Sequence, residues 1–152
     1  MLLRTHLAIA ILGILILSPF ISDKIIFVGM AVFGTILVDL DSPSSLFGKI
    51  IIFRPFQLFL RHRGIMHSIL FGVLLSLVFA MFYPVLAFGF FTGFALHLVV
   101  DSFTREGVKP FWPFKTRTRG FITTGGMVES ILFLSIIAID IIVFIVLFVI
   151  HT

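Results

Sequence analysis

Apolar residues occur in five long stretches along the chain, separated by short segments that hold most of the charged residues. The stretches run over Leu7–Phe20, Ile25–Val38, Ile65–Phe82, Val85–Phe103 and Met127–Ile150. A helix needs about 20 apolar residues to cross the hydrocarbon core of a bilayer, and fewer where the bilayer is thin or flanking residues snorkel. The pattern therefore predicts one domain, residues 1–152, folded as an all-α integral membrane protein with a bundle of about five transmembrane helices.

The segment between the second and third stretches has a different pattern. From Leu46 to Leu60, apolar clusters alternate with Lys49, Arg54 and Gln57, and Pro55 interrupts any continuous helix. We interpret it as an amphipathic segment that lies in the membrane interface.

Composition and charge agree with a membrane protein and orient it. Hydrophobic residues make up 60% of the chain and charged residues only 12%, about half the share of a soluble domain. If the N-terminus is cytoplasmic, all Lys and Arg residues except Lys24 fall on the cytoplasmic side, so the positive-inside rule predicts an N-in, C-out topology in the cell inner membrane. Topology therefore explains the net charge of +4, and we predict no nucleic-acid partner. Cysteine is absent, which excludes thiolate metal sites.

Most of the remaining polar residues converge at the cytoplasmic ends of the predicted helices. The set comprises His6 in the first helix, Asp39 and Asp41 in the second, His62 and His67 around the start of the third, His97 and Asp101 in the fourth, and Glu129 in the fifth. Each alone has a structural explanation, such as a helix end or an interfacial side chain. Their common depth predicts a single polar layer, and ionisable groups inside a membrane indicate function.

The local spacings fit such a layer. His97 and Asp101 stand at i and i+4, so they share one helix face. Asp39 and Asp41 stand at i and i+2, so they point the same way if the chain leaves the helix near Asp39 and becomes extended. Mixed His and carboxylate ligands without Cys suit zinc or manganese.

The third helix contributes a histidine pair. His62 and His67 lie on either side of Gly64, which places His62 in the preceding loop and His67 in the first turn of the helix.

Four blocks of the sequence together resemble a known family. They are Thr5-His6-Leu7, Asp39-Leu40-Asp41-Ser42-Pro43, His62-Arg63-Gly64-Ile65-Met66-His67-Ser68, and His97-Leu98-Val99-Val100-Asp101-Ser102-Phe103-Thr104. The chain resembles the YdjM-like, LexA-regulated membrane-bound metal-dependent hydrolases over nearly its whole length, from His6 to Glu129. The resemblance implies hydrolase activity that depends on a bound metal.

We therefore expect a hydrolase that cleaves a phosphate ester of a membrane lipid or phospholipid at the cytoplasmic surface, through hydroxide on a divalent metal. The expected ligands of one or more ions, with zinc favoured over manganese, are His6, Asp39, His62, His67, His97 and Asp101. Asp41 or Glu129 would be a further ligand or the general base, and Arg63 would grip phosphate oxygens.

A second hypothesis stays open. A divalent-cation transporter or sensor could use the same ligands, although transporter sites tend to lie near the bilayer midplane rather than at one surface. The sequence leaves the oligomeric state open.

Overall fold

The computed structural model describes residues 1–41 and 64–151, and within them the chain is helical without a β-strand. The α-helices of this part are α1 (Leu3–Leu17), α2 (Lys24–Leu37), α3 (Ile69–Ala80), α4 (Pro84–Ser102) and α5 (Met127–His151). Each coincides with one of the five predicted stretches, which confirms the all-helical prediction. The predicted interfacial segment Leu46–Leu60 lies outside the described residues.

Within residues 1–41 and 64–151, three helical segments are long and apolar enough to cross a membrane. They are Leu3–Phe20, Pro84–Ser102 and Met127–Val149, whereas α3 is a shorter apolar helix. Membrane insertion is therefore supported, and the count of five crossings with a cytoplasmic N-terminus stays a prediction.

Two helix boundaries near the polar layer differ from the prediction. Helix α3 begins at Ile69 rather than Ile65, because Ser68 caps it by accepting a hydrogen bond from the Phe71 amide at 3.2 Å. His67 consequently lies in a short 3₁₀ turn, Ile65–His67, rather than in the first turn of the helix.

The end of α2 also differs in form. The chain leaves α-helical geometry after Leu37, close to the predicted point, but it continues as a 3₁₀ turn, Val38–Asp41, and not as an extended segment.

Helices α2 and α4 pack closely because glycines face the contact. A methyl group at Gly93 would lie 1.8 Å from the Ala31 carbonyl oxygen, and one at Gly34 would lie 2.3 Å from that of Phe90. Gly89 and Gly93 form the small-xxx-small pattern that permits such contact in membranes. The two backbones therefore touch, and the end of α2 is fixed against the end of α4.

The helix directions bring those polar residues of the predicted layer that the structure describes to one end of the bundle. The start of α1 contacts the start of α5, where Thr5 donates to Glu129, and the end of α2 contacts the end of α4, where Thr35 contacts His97. At the opposite end, the Tyr83 hydroxyl donates to Asp23 and joins the loop before α2 to the turn before α4.

Candidate metal centre

His97 is held in one orientation by the close packing of α2 and α4. Its Nδ1 lies 2.8 Å from the Thr35 backbone carbonyl, which can only accept, so Nδ1 carries the proton. In this tautomer Nε2 presents a lone pair to the interior of the bundle. An imidazole fixed by a backbone carbonyl through its other nitrogen is the common arrangement of a metal-ligating histidine.

His6 packs directly on His97. Their rings are stacked with centroids 3.7 Å apart and an interplanar angle of 4°. His6 Nε2 lies 3.2 Å from Asp101 Oδ1, so the start of α1 and the end of α4 meet at this carboxylate.

His67 reaches the same place from the 3₁₀ turn that precedes α3. Its ring meets that of His97 edge-on, with centroids 5.7 Å apart. His67 Nε2 and His97 Nε2 each lie 3.8 Å from Asp101 Oδ2. Asp101 is therefore the carboxylate shared by all three histidines.

Asp39 closes the cluster from the end of α2. Its Oδ1 lies 3.6 Å from His97 Nε2. Burial raises the pKa of the Asp39 carboxyl, and the neighbouring imidazoles of His6 and His67 oppose that shift. We call the five residues His6, Asp39, His67, His97 and Asp101 the His/Asp cluster.

The His/Asp cluster is buried but incompletely hydrogen-bonded. Its three histidines and Asp101 are at most 2% exposed. Among the described residues, His6 Nδ1 and His97 Nε2 have no hydrogen-bond partner. A buried polar atom without a hydrogen-bond partner destabilises the fold by roughly 1–3 kcal/mol. The two nitrogen atoms therefore need a compensating contact.

A divalent cation fits the donor set. Ligand atoms of His6, Asp39 and His97 lie within 4.8 Å of one another, and so do those of His67, His97 and Asp101. Imidazole and carboxylate ligands without sulfur suit zinc and related metals. Two groups that share His97 give room for one ion or for two.

Glu129 lies at the same end of the bundle but has a different environment. Its Oε1 accepts hydrogen bonds from the Leu2 amide at 2.6 Å and the Thr5 hydroxyl at 2.8 Å, and its Oε2 accepts one from the Gly125 amide at 2.6 Å. Both oxygens are thus used to join the start of α1 to the start of α5. The contacts favour a structural role over the predicted role as ligand or general base.

Three predicted site residues cannot be compared with the geometry. His62 and Arg63 lie outside the described residues, as does the side chain of Asp41, whose backbone ends the 3₁₀ turn Val38–Asp41. Their roles stay predictions.

Two residues that support this region were not predicted from the sequence. Thr35 holds His97 through its carbonyl, and Thr5 holds Glu129 through its hydroxyl. Both threonines are buried, and in the sequence each lies within four residues of a predicted ligand. This proximity is the sequence feature that could have indicated a supporting role. The contact through Thr35 is made by the backbone, however, and no side-chain pattern reveals it.

Comparison with known protein families identifies the family of the chain. The family model described as YdjM inner membrane protein matches residues 1–151. No curated protein and no solved structure shows significant similarity to the chain.

Proposed function

Since the chain belongs to the YdjM inner membrane protein family, we propose that it is a membrane-embedded, metal-dependent hydrolase that cleaves a phosphate ester of a lipid at the cytoplasmic membrane surface. The observation that carries the proposal is the His/Asp cluster, in which the buried Nε2 of His97 has no hydrogen-bond partner among the described residues and faces the carboxylates of Asp39 and Asp101. Topology belongs to the same proposal: five crossings, with the ends that bear the cluster on the cytoplasmic side.

The residues of the cluster would hold a divalent ion, with zinc favoured. When bound, the ion supplies Lewis-acid polarisation of a phosphoryl oxygen and lowers the pKa of a coordinated water. The chain supplies the orientation: the Thr35 carbonyl keeps the proton of His97 on Nδ1, and Asp101 lies between His6 and the other two histidines.

Charges near the cluster suit an anionic substrate. The segment after α4 contains Lys109, Lys115, Arg117 and Arg119 without an acidic residue between Val108 and Arg119. Arg63, which directly follows the predicted ligand His62, is the residue we propose for bidentate contact with phosphate oxygens. We keep Asp41 as the proposed general base, because both carboxylate oxygens of Glu129 are occupied.

The proposal is tested by metal analysis together with phosphate release. The full-length protein in phospholipid vesicles is assayed against lipid phosphates and phospholipids before and after metal removal. His97→Ala should lose bound metal and reduce the rate about 100-fold or more. Each loss of about 1.4 kcal/mol of transition-state stabilisation lowers the rate tenfold, so a 100-fold decrease corresponds to two such losses. His151→Ala is the matched control, because His151 is the last residue of α5, whose first turn lies at the cluster.

Two outcomes would contradict the proposal. Full activity in metal-stripped protein would exclude the cluster as a metal-dependent catalytic centre. Metal uptake into sealed vesicles without phosphate release from any lipid would instead support the transporter hypothesis.

A further inference from the structure

Two open apolar cavities, of about 340 Å³ and about 240 Å³, lie along α3 and α4 outside the His/Asp cluster, and Phe91 lines both of them. The larger cavity extends along α4 to Ser102, and the smaller one extends to Ala87. We call the two cavities together the α3–α4 groove. Phe91 and Val99 are 37% and 54% exposed, so the groove opens sideways on the bundle.

The hydroxyl side chains of the groove offer no spare hydrogen-bond donor. The three hydroxyls in its lining each donate to a nearby backbone carbonyl: Ser76 to Gly72, Ser102 to Val99, and Thr118 to Val108. The other lining side chains are apolar, among them Val73, Leu77, Phe91 and Leu98. An apolar chain therefore suits the groove best, since a buried hydrogen-bond acceptor on the occupant would find no free side-chain donor in this lining.

One end of the groove adjoins the His/Asp cluster. Leu98 and Ser102 of the lining directly follow His97 and Asp101 in the chain, and Ile69 comes two residues after His67. The groove and the cluster thus occupy adjacent faces of α4 at the same level.

The length of the groove suits one lipid chain. Ser102 and Ala87 are fifteen residues apart on α4, which spans about 22 Å at 1.5 Å per residue. One leaflet of a bilayer core is roughly 15 Å thick, so the groove can take a complete acyl chain.

The rim of the groove is basic where it meets the cluster. The loop that contributes Val108, Phe111 and Thr118 to the lining is held to α3 by a hydrogen bond from the Ile69 amide to the Pro110 carbonyl at 2.8 Å. The four Lys and Arg residues named above lie in or next to this loop. Positive charge at the mouth of an apolar groove complements an anionic headgroup on an apolar chain.

We propose that the α3–α4 groove binds one acyl chain of an anionic lipid and thereby places the headgroup at the His/Asp cluster. That this lipid is the substrate rests on the proposed function, whereas its binding does not. The groove would then select lipids by chain and by charge, before any chemistry takes place.

Photolabelling in nanodiscs tests the binding directly. The probe is phosphatidic acid with a diazirine near the end of one acyl chain, presented in phosphatidylcholine to the metal-stripped full-length protein, so that turnover does not consume it. Label on α3 and α4 near Phe91 should saturate and be displaced by unlabelled phosphatidic acid. Label on the exposed face of α5 should rise linearly. A diacylglycerol probe with the same diazirine chain should label the groove several-fold less.

A variant that fills the groove gives the second arm. Ala95 lines the larger cavity, and Ala95→Phe should lower the saturable label about tenfold, the effect of losing roughly two buried methylene contacts. Ala138→Phe, on the exposed surface of α5, is the matched control and should leave it unchanged. Size-exclusion profiles check that both variants fold. If Ala95→Phe does not fold, saturable labelling of the unaltered protein still tests the proposal.

The outcomes separate the two proposals. Linear, non-displaceable labelling near Phe91, or equal labelling by diacylglycerol, would overturn the groove proposal. Saturable labelling without phosphate release under any metal supports the groove and contradicts the hydrolase. Lipid phosphate release that Ala95→Phe leaves unchanged would contradict the groove as the substrate site.

Discussion

Replacing Gly93 with alanine should disturb both the stability of the bundle and the affinity of the metal centre. The added methyl carbon would lie 1.8 Å from the Ala31 carbonyl oxygen and 2.8 Å from the Thr35 hydroxyl oxygen. Ordinary contacts begin near 3.4 Å, so α2 and α4 must separate by about 1.5 Å. Because the nearest atom belongs to backbone, no side-chain rotation relieves the clash.

The cost has two parts. Overpacking of this kind destabilises a protein by about 1–3 kcal/mol. Gly93 lies one helical turn before His97, so separation of the helices also lengthens the 2.8 Å contact between His97 Nδ1 and the Thr35 carbonyl. Loss of such a supporting hydrogen bond lowers metal affinity by about 10- to 100-fold.

The two parts are measured independently on detergent-solubilised protein. Thermal unfolding of the metal-free form reports stability, and zinc titration against a competing chelator reports affinity. Gly29→Ala is the control, since a methyl group there meets no atom within 4 Å, and it should stay within about 0.5 kcal/mol of the unaltered protein. If Gly93→Ala matched Gly29→Ala in both measurements, the packing argument for the position of His97 would be refuted.

Further predictions concern the other polar contacts of the bundle. Glu129→Gln should lower the free energy of unfolding by about 1–3 kcal/mol, because an amide cannot accept all three hydrogen bonds. The metal content should stay unchanged. Loss of metal at unchanged stability would instead indicate that Glu129 is a ligand. The hydrogen bond to Asp23 raises the pKa of Tyr83, so this contact stabilises the fold below pH 10 and is lost as the pH rises through the raised value. Ultraviolet titration of the chain's one tyrosine should show an apparent pKa that falls in Asp23→Asn, and an unchanged value would argue against the contact. Zinc at about 100 times its dissociation constant should raise the free energy of unfolding by roughly 2.7 kcal/mol, provided the unfolded chain does not bind it. No shift in the melting temperature with zinc would count against the metal centre.

The sequence was sufficient to predict that His6, His97 and Asp101 lie close together, because helix direction follows from the apolar stretches. Consecutive helices of a membrane bundle run in opposite directions, so the start of α1 and the end of α4 fall at one end. The contact of His6 with His97 and Asp101 follows that logic. Details of the helix ends did not follow, since the cap formed by Ser68 and the 3₁₀ turn at Asp39 depend on local hydrogen bonds that apolar patterns do not report.

The position of a polar residue along its predicted helix does not distinguish a metal ligand from a structural residue. The hydrogen bonds that each polar atom makes in the structure do distinguish them. Glu129 and His97 are equally buried at the same end of the bundle. Each oxygen of Glu129 already accepts from the protein, so nothing further is needed to stabilise it there. His97 is satisfied only at Nδ1, and Nε2 faces Asp39 and Asp101 at 3.6 and 3.8 Å, too far for a hydrogen bond but a fitting separation for ligands around an ion between them. The unsatisfied nitrogen therefore favours His97 over Glu129 as a metal ligand.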